Sequence, residues 1–249
     1  MLPHDLQFLF SDYFDERGRA RPGCCARIEG HAHTSHADGY SPARECARRA
    51  LELGLDTLAF AEHMRRGAPW RNAYFEEVEA LRDEYRGRLR ILCGIEVTAL
   101  RGPDALDTDP ESLERADFVV GSAHGLWAAA QGRGLDPFHR PGAHEALEGE
   151  AELLRALAID PRVHVIGHPF GAYFERHGCP PAHAVLEIAR LAADNGKAIE
   201  INVRHMDAGW FTRCLAQAGP GVLFWPASDA HLARHVGRAA AVLFPDHAA

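Results

Sequence analysis

A chain of 249 residues, 47% hydrophobic and 25% charged, can bury a full core and falls in the size range of one large α/β domain. Its formal charge of −8 argues against a surface that coats nucleic acid, because such surfaces need an excess of Lys and Arg to neutralise phosphates. No apolar run approaches the roughly 18 residues that cross a bilayer, the opening MLPHDLQFLFSDYFDERG is broken by acids too early for a secretory core, and the cysteines (Cys24, Cys25, Cys46, Cys93, Cys179, Cys214) form neither a C-x-x-C pair nor a regular spacing, so a cytoplasmic protein with reduced thiols and no membrane association is expected.

Residues 1–26 read as an N-terminal arm and 27–249 as a single domain. From residue 27 onward, short apolar runs alternate with longer amphipathic segments rich in Ala, Arg, Leu and Glu. The first strand is expected at 27–32. Ser41-Pro42 followed by ARECARRALELG gives the clearest helix, with Ser41 as N-cap, Pro42 in the first turn and Gly54 as the stop. A strand at 56–61, a helix at 71–86 and a strand at 89–97 follow. The stretch 100–116 reads as a long loop, 117–122 as a strand, and the Gly/Pro-rich run 131–143 as a second long loop of the kind that shapes a substrate mouth. A helix at 144–159 leads to a strand at 163–167, and a helix at 181–195 to a strand at 198–203. A weaker helix at 208–218, carrying Gly209, leads to the last strand at 222–227. Seven strands alternating with helices favour a parallel sheet with right-handed crossovers, either open and doubly wound or closed into a barrel.

The compositional outlier is histidine, at 16 residues against the single lysine Lys197. Histidine is both the commonest metal ligand and a common general base. Its placement is informative. His31-Ala32-His33 follows the first strand and Glu62-His63 the second; Glu96 lies in GIEV on the third; His124 in GSAH follows the fourth, His168 in IGHPF the fifth, and Asp229-Ala230-His231 the last. In a parallel α/β fold the carboxyl ends of the strands open onto one face, where ligands bind, so these residues are expected to converge. Imidazole nitrogen and carboxylate oxygen together suit Zn²⁺, Mn²⁺ or Fe²⁺, and a carboxylate can bridge two ions. His31 and His33, two apart at a strand end, project to one side of the pleat and can reach one ion, as can Asp229 and His231. More than four ligands imply more than one metal. Glu96 lies on a strand expected to be buried on both sides, where an unpaired carboxylate is costly, whereas Asp229 has the competing role of N-cap to a helix starting near Ala230. His4, His36, His139, His144, His164, His177, His183, His235 and His247 are expected to be ordinary. His205 stands apart because it follows the strand AIEINVR into the same face.

Taken in order, the segments HAHTSHADGYS, FAEHM, GIEV, GSAH, IGHP and SDAH, spread across residues 30–232, resemble the polymerase and histidinol phosphatase (PHP) family. The resemblance implies a distorted (β/α)7 TIM-like barrel and a trinuclear centre of divalent Zn, Mn or Fe. It places His31, His33, Glu96 and Asp229 on one ion, has Glu96 bridge to a second held by His124 and His168, and gives Asp38, His63 and His231 to the third. The chain departs from the family pattern at Glu62, where Asp is common, and at Ala37, where Ser is common; His36 is close enough to compete with Asp38. The implied activity is hydrolysis of a small phosphomonoester, with L-histidinol phosphate the leading candidate and a small nucleotide the alternative. Family members attached to polymerases act on DNA ends, but no polymerase segment is visible here and the acidic charge disfavours a duplex-binding surface.

In that chemistry a metal-activated water attacks phosphorus, so no Ser or Cys nucleophile is needed. Glu96, Asp229 and His231 are the catalytic candidates, and Asp229, His231 or His205 can protonate the leaving alkoxide. The basic residues near the motifs, Arg65 and Arg66 after His63, Arg204 after INV and Arg234 after D-x-H, are candidates to hold phosphate. Arg204 leads because its strand end aims it at the metals. Two other classes compete: a metal hydrolase acting on a C–N or C–O bond, which commonly needs a metal-bridging lysine, and a binding module with a decayed site, which the full ligand set opposes. Oligomeric state is not legible in the sequence.

Overall fold

Strands buried on both faces must be apolar throughout or carry polar groups that find partners, and the runs between the helices meet that condition. In the computed structural model, which describes residues 2–102, 105–124 and 141–247, they form β2 (Ile28–Ala32), β3 (Thr57–His63), β4 (Arg90–Thr98), β5 (Val119–Ser122), β6 (Val165–Gly167), β7 (Ala198–Asn202) and β8 (Leu223–Ala227). These are the seven strands the alternation implied, with their ends shifted by a few residues. Each pairs with its neighbours in parallel, and a two-residue strand β1 (Phe8–Leu9) adds antiparallel to β8, giving the order β1-β8-β7-β6-β5-β4-β3-β2. β1 is too short to leave a pattern in the sequence.

The parallel run curls until its two ends meet. Beyond the end of β8, the Ala230 amide donates to the His31 carbonyl at 3.0 Å, and the His33 amide donates to the Ala230 carbonyl at 3.0 Å. The Trp225 indole N–H reaches the Gly30 carbonyl at 2.7 Å. Gly30 must lack a side chain, since a Cβ there would lie 2.4 Å from the Trp225 ring nitrogen and the Pro226 carbonyl oxygen. The buried Glu29 completes the seam by accepting the amides of Ser228 at 2.9 Å, Gly237 at 2.8 Å and His31 at 3.2 Å. The result is a TIM-like barrel whose seam is held by a few bonds and one carboxylate instead of a full ladder. A register shift in β2 between Glu29 and Ala32 marks the spot, as bulges commonly do where side chains must be re-aimed near a site.

The helices α1 (Phe10–Tyr13), α2 (Ala43–Glu52), α3 (Arg71–Glu84), α4 (Pro110–Arg115), α5 (Ala143–Ile159), α6 (Gly171–His177), α7 (Ala182–Asp194), α8 (Ala208–Leu215) and α9 (Arg238–Leu243) pack outside. Expectation and structure differ at short elements. α4 falls inside the expected loop 100–116, and α1, α6 and α9 are too short to show a helical period. α2 begins one residue later than read, with Pro42 at the N-cap, because the Ser41 hydroxyl accepts the Ala233 amide instead of capping the helix. α8 ends at Leu215, and its start is capped by the Asp207 side chain. The expected loop at 131–143, as far as residue 140, and His139 lie outside the described residues.

Residues ahead of β2 cross the amino-terminal mouth of the barrel. Leu2, Leu6, Phe10 and Phe14 are buried, Phe10 stacks on Phe14 with centroids 4.6 Å apart, and Asp5 pairs with Arg90 at the first residue of β4. The carboxyl-terminal mouth is left to the polar side chains. No helix among the described residues is long and apolar enough to cross a membrane.

Candidate metal centre

Each strand end contributes a side chain whose direction is fixed from behind. Glu200, fully buried on β7, accepts the His31 Nδ1–H at 2.7 Å with Oε1 and the His168 amide at 2.6 Å with Oε2. Glu62 lies 3.3 Å from His33 Nδ1 with one oxygen, and with the other it accepts both the amide, at 2.8 Å, and the hydroxyl of Thr34. Thr98 Oγ1 shares a hydrogen bond with His124 Nδ1 at 2.8 Å. Holding Nδ1 in this way orients an imidazole and presents Nε2, the arrangement by which proteins prepare histidines for metals.

Inside this ring the Nε2 atoms of His31 and His33 are buried and, among the described residues, have no partner in hydrogen-bonding geometry. A buried polar atom left in that state costs about 1–3 kcal/mol, so two side by side, their rings 4.8 Å apart, point to a cation that takes their lone pairs.

Glu96 on β4 faces two ways. Its Oε1 is 2.9 Å from His168 Nε2 and 3.1 Å from His124 Nε2. Its Oε2 is 3.0 Å from His63 Nδ1, 3.7 Å from His31 Nε2 and 3.8 Å from His33 Nε2. Asp229 Oδ1 lies 3.2 Å from His33 Nε2 and 3.2 Å from His231 Nδ1, and Asp38 Oδ2 lies 3.2 Å from His231 Nε2 and 3.4 Å from His63 Nε2. Three overlapping sets of donor atoms result, each within 4.8 Å of one another: His31, His33 and Asp229; His63, Glu96 and His124; and His33, Asp38, His63 and His231. These sets hold eight of the residues read from the sequence as ligands, and His168, at Glu96 Oε1, is the ninth at the same spot.

The backbone is held there under strain. His168 and Asp229 have φ of 22° and 48°, a region that costs a non-glycine residue about 1–3 kcal/mol unless its surroundings enforce it.

The electrostatics show what the cluster is suited to hold. Burial works against the charge on Glu96, yet His124, His63 and His31 together hold its carboxyl well below the usual range. Burial likewise opposes the charge on Asp229, which His205, His231 and His33 keep low. Burial also disfavours a proton on His63, but Glu96 and Asp38 raise it to about 10. His168 rises against burial to about 9 through Glu96, and His231 to about 9 through Asp229 and Asp38. So many buried carboxylates among these imidazoles demand compensating positive charge, which divalent ions would supply. Donor types, orphaned nitrogens and charge all fit a group of such ions.

A cavity of about 240 Å³ opens over the cluster. Arg204 lines it, with Nη1 3.3 Å from Asp229 Oδ1 and in contact with His231. His205 also lines it, with Nε2 2.7 Å from Asp229 Oδ2 and Nδ1 2.5 Å from Glu175 Oε1. An adjoining cavity of about 330 Å³ shares Asp38, His63 and Glu96 and contains Arg65. The other two arginines are elsewhere: Arg66 meets Asp107 through its amide, and Arg234 is exposed and lines neither cavity. A larger cavity of about 640 Å³ lies at the opposite end of β4, remote from this chemistry, where Arg82, Arg86 and Arg90 pair with Asp117, Asp83 and Asp5.

His36 does not compete with Asp38, for its Nε2 pairs with Glu77 of α3 at 2.6 Å. Asp229 caps no helix at Ala230; the next regular turn is Ala233–His235. His164 is an ordinary half-buried histidine whose Nδ1 accepts the Val119 amide at 3.1 Å, and desolvation pushes it down to about 4. The reading of the sequence passed over Glu200 and Glu175 altogether. Glu200 was findable by the reasoning that singled out Glu96, a carboxylate on a strand buried on both sides.

The PHP domain profile matches residues 29–204. A protein of Deinococcus radiodurans named "Probable histidinol-phosphatase" is 30% identical over 248 residues, covering 84% of this chain and 88% of its own. A "Probable phosphatase" of Acetivibrio thermocellus is 27% identical over 223 residues, covering 85% of this chain and 82% of its own. In fold, the chain is similar to the histidinol phosphate phosphatase of Lactococcus lactis subsp. lactis, solved with zinc, L-histidinol and phosphate; the TM-score is 0.62 at 18% identity, over 89% of this chain and 94% of that one.

Proposed function

The chain belongs to the PHP domain family, and from that premise we propose that it is a metal-dependent phosphoesterase that hydrolyses a small phosphomonoester, L-histidinol phosphate first among candidates, at a centre of three divalent ions. The observation that carries this reading is the two-sided placement of Glu96, whose oxygens face His124 and His168 on one side and His31, His33 and His63 on the other. The names of the two relatives, and the zinc, L-histidinol and phosphate held by the Lactococcus protein, support the same activity.

His31, His33 and Asp229 would hold one ion with Glu96, His124 and His168 a second with Glu96, and Asp38, His63 and His231 the third. Bound ions would supply Lewis-acid polarisation of the phosphate and an activated water. The chain's own groups do the rest. Glu200, Glu62 and Thr98 keep the imidazoles aimed. Arg204 presents its guanidinium beside Asp229 and His231, where it would neutralise phosphate oxygens and hold the ester in register. Of the three candidates for proton donor, His205 alone lies outside the ligand groups. Gripped by Glu175 and Asp229, it would carry the proton at Nε2 to the leaving oxygen. We place this function on a single domain, residues 27–249, with 1–26 as its arm, in the cytoplasm.

The test is phosphate release from a panel of phosphomonoesters with Mn²⁺ or Zn²⁺, run beside His33→Ala and Glu96→Ala. Hydrolysis by the native chain, lost by about two to three orders of magnitude in both variants, is the expected outcome. No hydrolysis of any ester, or full activity in both variants, would exclude the reading.

A further inference from the structure

The cavity of about 330 Å³ beside the cluster shares Asp38, His63, Glu96 and Thr98 with the centre, while Met64, Arg65, Trp70 and Asp107 have no part in the chemistry above. Outside the ligand groups its lining includes Met64, Arg65 and Trp70 from the segment after β3, with Thr98 at the end of β4 and Asp107 beyond it. The segments after β3 and β4 are tied together. The Gly67 amide donates to Asp109 Oδ2 at 2.8 Å and the Arg66 amide to Asp107 Oδ1 at 3.3 Å. The Trp70 indole N–H donates to the His63 carbonyl at 3.0 Å, which fixes the ring as a flat wall, and the Arg65 guanidinium lies 5.5 Å from its centroid. Met64 is fully buried beneath. The space is thus apolar and aromatic on one side, and it holds one carboxylate outside the ligand groups, Asp107, which among the described residues accepts only the Arg66 amide.

Arg204 and Arg65 occupy different cavities, and both cavities contain Asp38, His63 and Glu96. An ester with its phosphorus over the cluster and its phosphate oxygens at Arg204 can place its organic part at the mouth of the second cavity. With Asp38 and Glu96 neutralised by ions, Asp107 is the remaining negative charge there. A volume at the lower end of small-molecule sites suits an alcohol of modest size and not a polynucleotide.

Resting on the phosphoesterase reading, we infer that this cavity receives the alcohol part of the substrate and that Asp107 and Trp70 determine its specificity, Asp107 by meeting a cationic amine and Trp70 by packing on a flat or apolar body. The two residues act on recognition, so their effect falls on KM.

The experiment compares kcat/KM for three esters that share the phosphate: L-histidinol phosphate, with ring and amine; O-phosphoethanolamine, with the amine alone; and glycerol 3-phosphate, with neither. Metal content is measured on every variant. Asp107→Asn should lower the preference for O-phosphoethanolamine over glycerol 3-phosphate about tenfold, the size of one charge-assisted hydrogen bond. Trp70→Ala should lower the preference for L-histidinol phosphate over O-phosphoethanolamine, and Trp70→Phe, which keeps a flat wall but loses the bond to His63, should restore most of it. Preferences unchanged in Asp107→Asn and Trp70→Ala overturn the inference, as does an equal loss on all three esters. If no ester is hydrolysed, the phosphoesterase reading fails, and calorimetric titration of L-histidinol into the metal-loaded protein still decides the subsite. Binding weakened about tenfold by Asp107→Asn upholds it; binding that is absent, or equal in both proteins, overturns it.

Discussion

Replacing Glu200 with glutamine changes one oxygen for an amide group, yet it should disable the centre. Glu200 Oε2 accepts the His168 amide at 2.6 Å, and Oε1 accepts the His31 Nδ1–H at 2.7 Å. A glutamine must give its single carbonyl oxygen to one of these donors. If it keeps the His168 amide, its NH₂ faces His31 Nδ1, and the imidazole is driven to the tautomer with hydrogen on Nε2, the atom now orphaned and aimed at the cluster. That nitrogen then has no lone pair for a metal. Losing such a partner behind a ligand typically costs 10–100-fold in metal affinity. The fold should suffer less: one charge-assisted hydrogen bond of about 1.5–3 kcal/mol is lost, part of it recovered by the tautomer change. Glu200→Ala leaves these two donors and the Asn202 Nδ2, which donates to Oε2 at 3.2 Å, without their acceptor in a site with no exposure and should cost about 3–9 kcal/mol, at about 1–3 kcal/mol for each. The assays are competitive metal titration and denaturant unfolding of the metal-free proteins. If Glu200→Gln binds metal as the native chain does, the account of how His31 is aimed is wrong.

Other consequences follow from the same geometry. His63, His168 and His231 have folded pKa values of about 10, 9 and 9, above the ordinary value. Their contribution to metal-free stability is therefore complete below the unfolded pKa, near 6.5, and disappears as pH rises through about 9–10. Glu96 and Asp229 are depressed, so theirs is present above the ordinary carboxylate pKa and is lost as pH falls into the acid range. Since ions must displace the imidazole protons, metal binding at pH 7 should release protons. Calorimetry in two buffers of different ionisation enthalpy would show this, and equal heats would contradict it. Arg204→Ala should lower kcat/KM roughly 100-fold with metal content retained, and Arg204→Lys should recover only part, because a point charge cannot reproduce the guanidinium fork. Phe10→Ala removes a buried ring stacked on Phe14 and should cost about 3–5 kcal/mol in denaturant unfolding; a loss under 1 kcal/mol would show that the arm is not part of the core.

The parallel sheet was legible because strand and helix alternate from residue 27 onward, the choice of a closed barrel over an open sheet came from the family resemblance, and the convergence of the nine side chains followed from one rule, that parallel strands end on one face. The rule is firm at strand ends and weakens along the loops beyond, where some side chains turn in and others do not. Arg204, two residues after β7, lines the cavity, while Arg66 and Arg234, equally close to a motif in sequence, line neither cavity. His36 and Asp38 could not be separated by spacing, because the turn at Gly39, whose amide returns to the Thr34 carbonyl at 3.0 Å, decides which of them faces inward. Ser41 had the chemistry of an N-cap but was claimed by a partner nearly two hundred residues away, a tertiary contact that no local signal records. Glu62 and Glu200 illustrate a different limit. Their residue type and burial were visible, but the histidine each one orients depends on which strands lie side by side.

The central claim is that one carboxylate joins two parts of a multi-metal centre, and the most direct test is the metal content of the chain purified without chelators, measured for the native protein and for Glu96→Ala. The donor sets support about three divalent ions per chain at the usual three or four ligands each, and because Glu96 faces two of the sets, its loss should remove more than one ion. Fewer than one transition-metal ion per native chain, or a Glu96→Ala protein that keeps its full complement, would contradict the account.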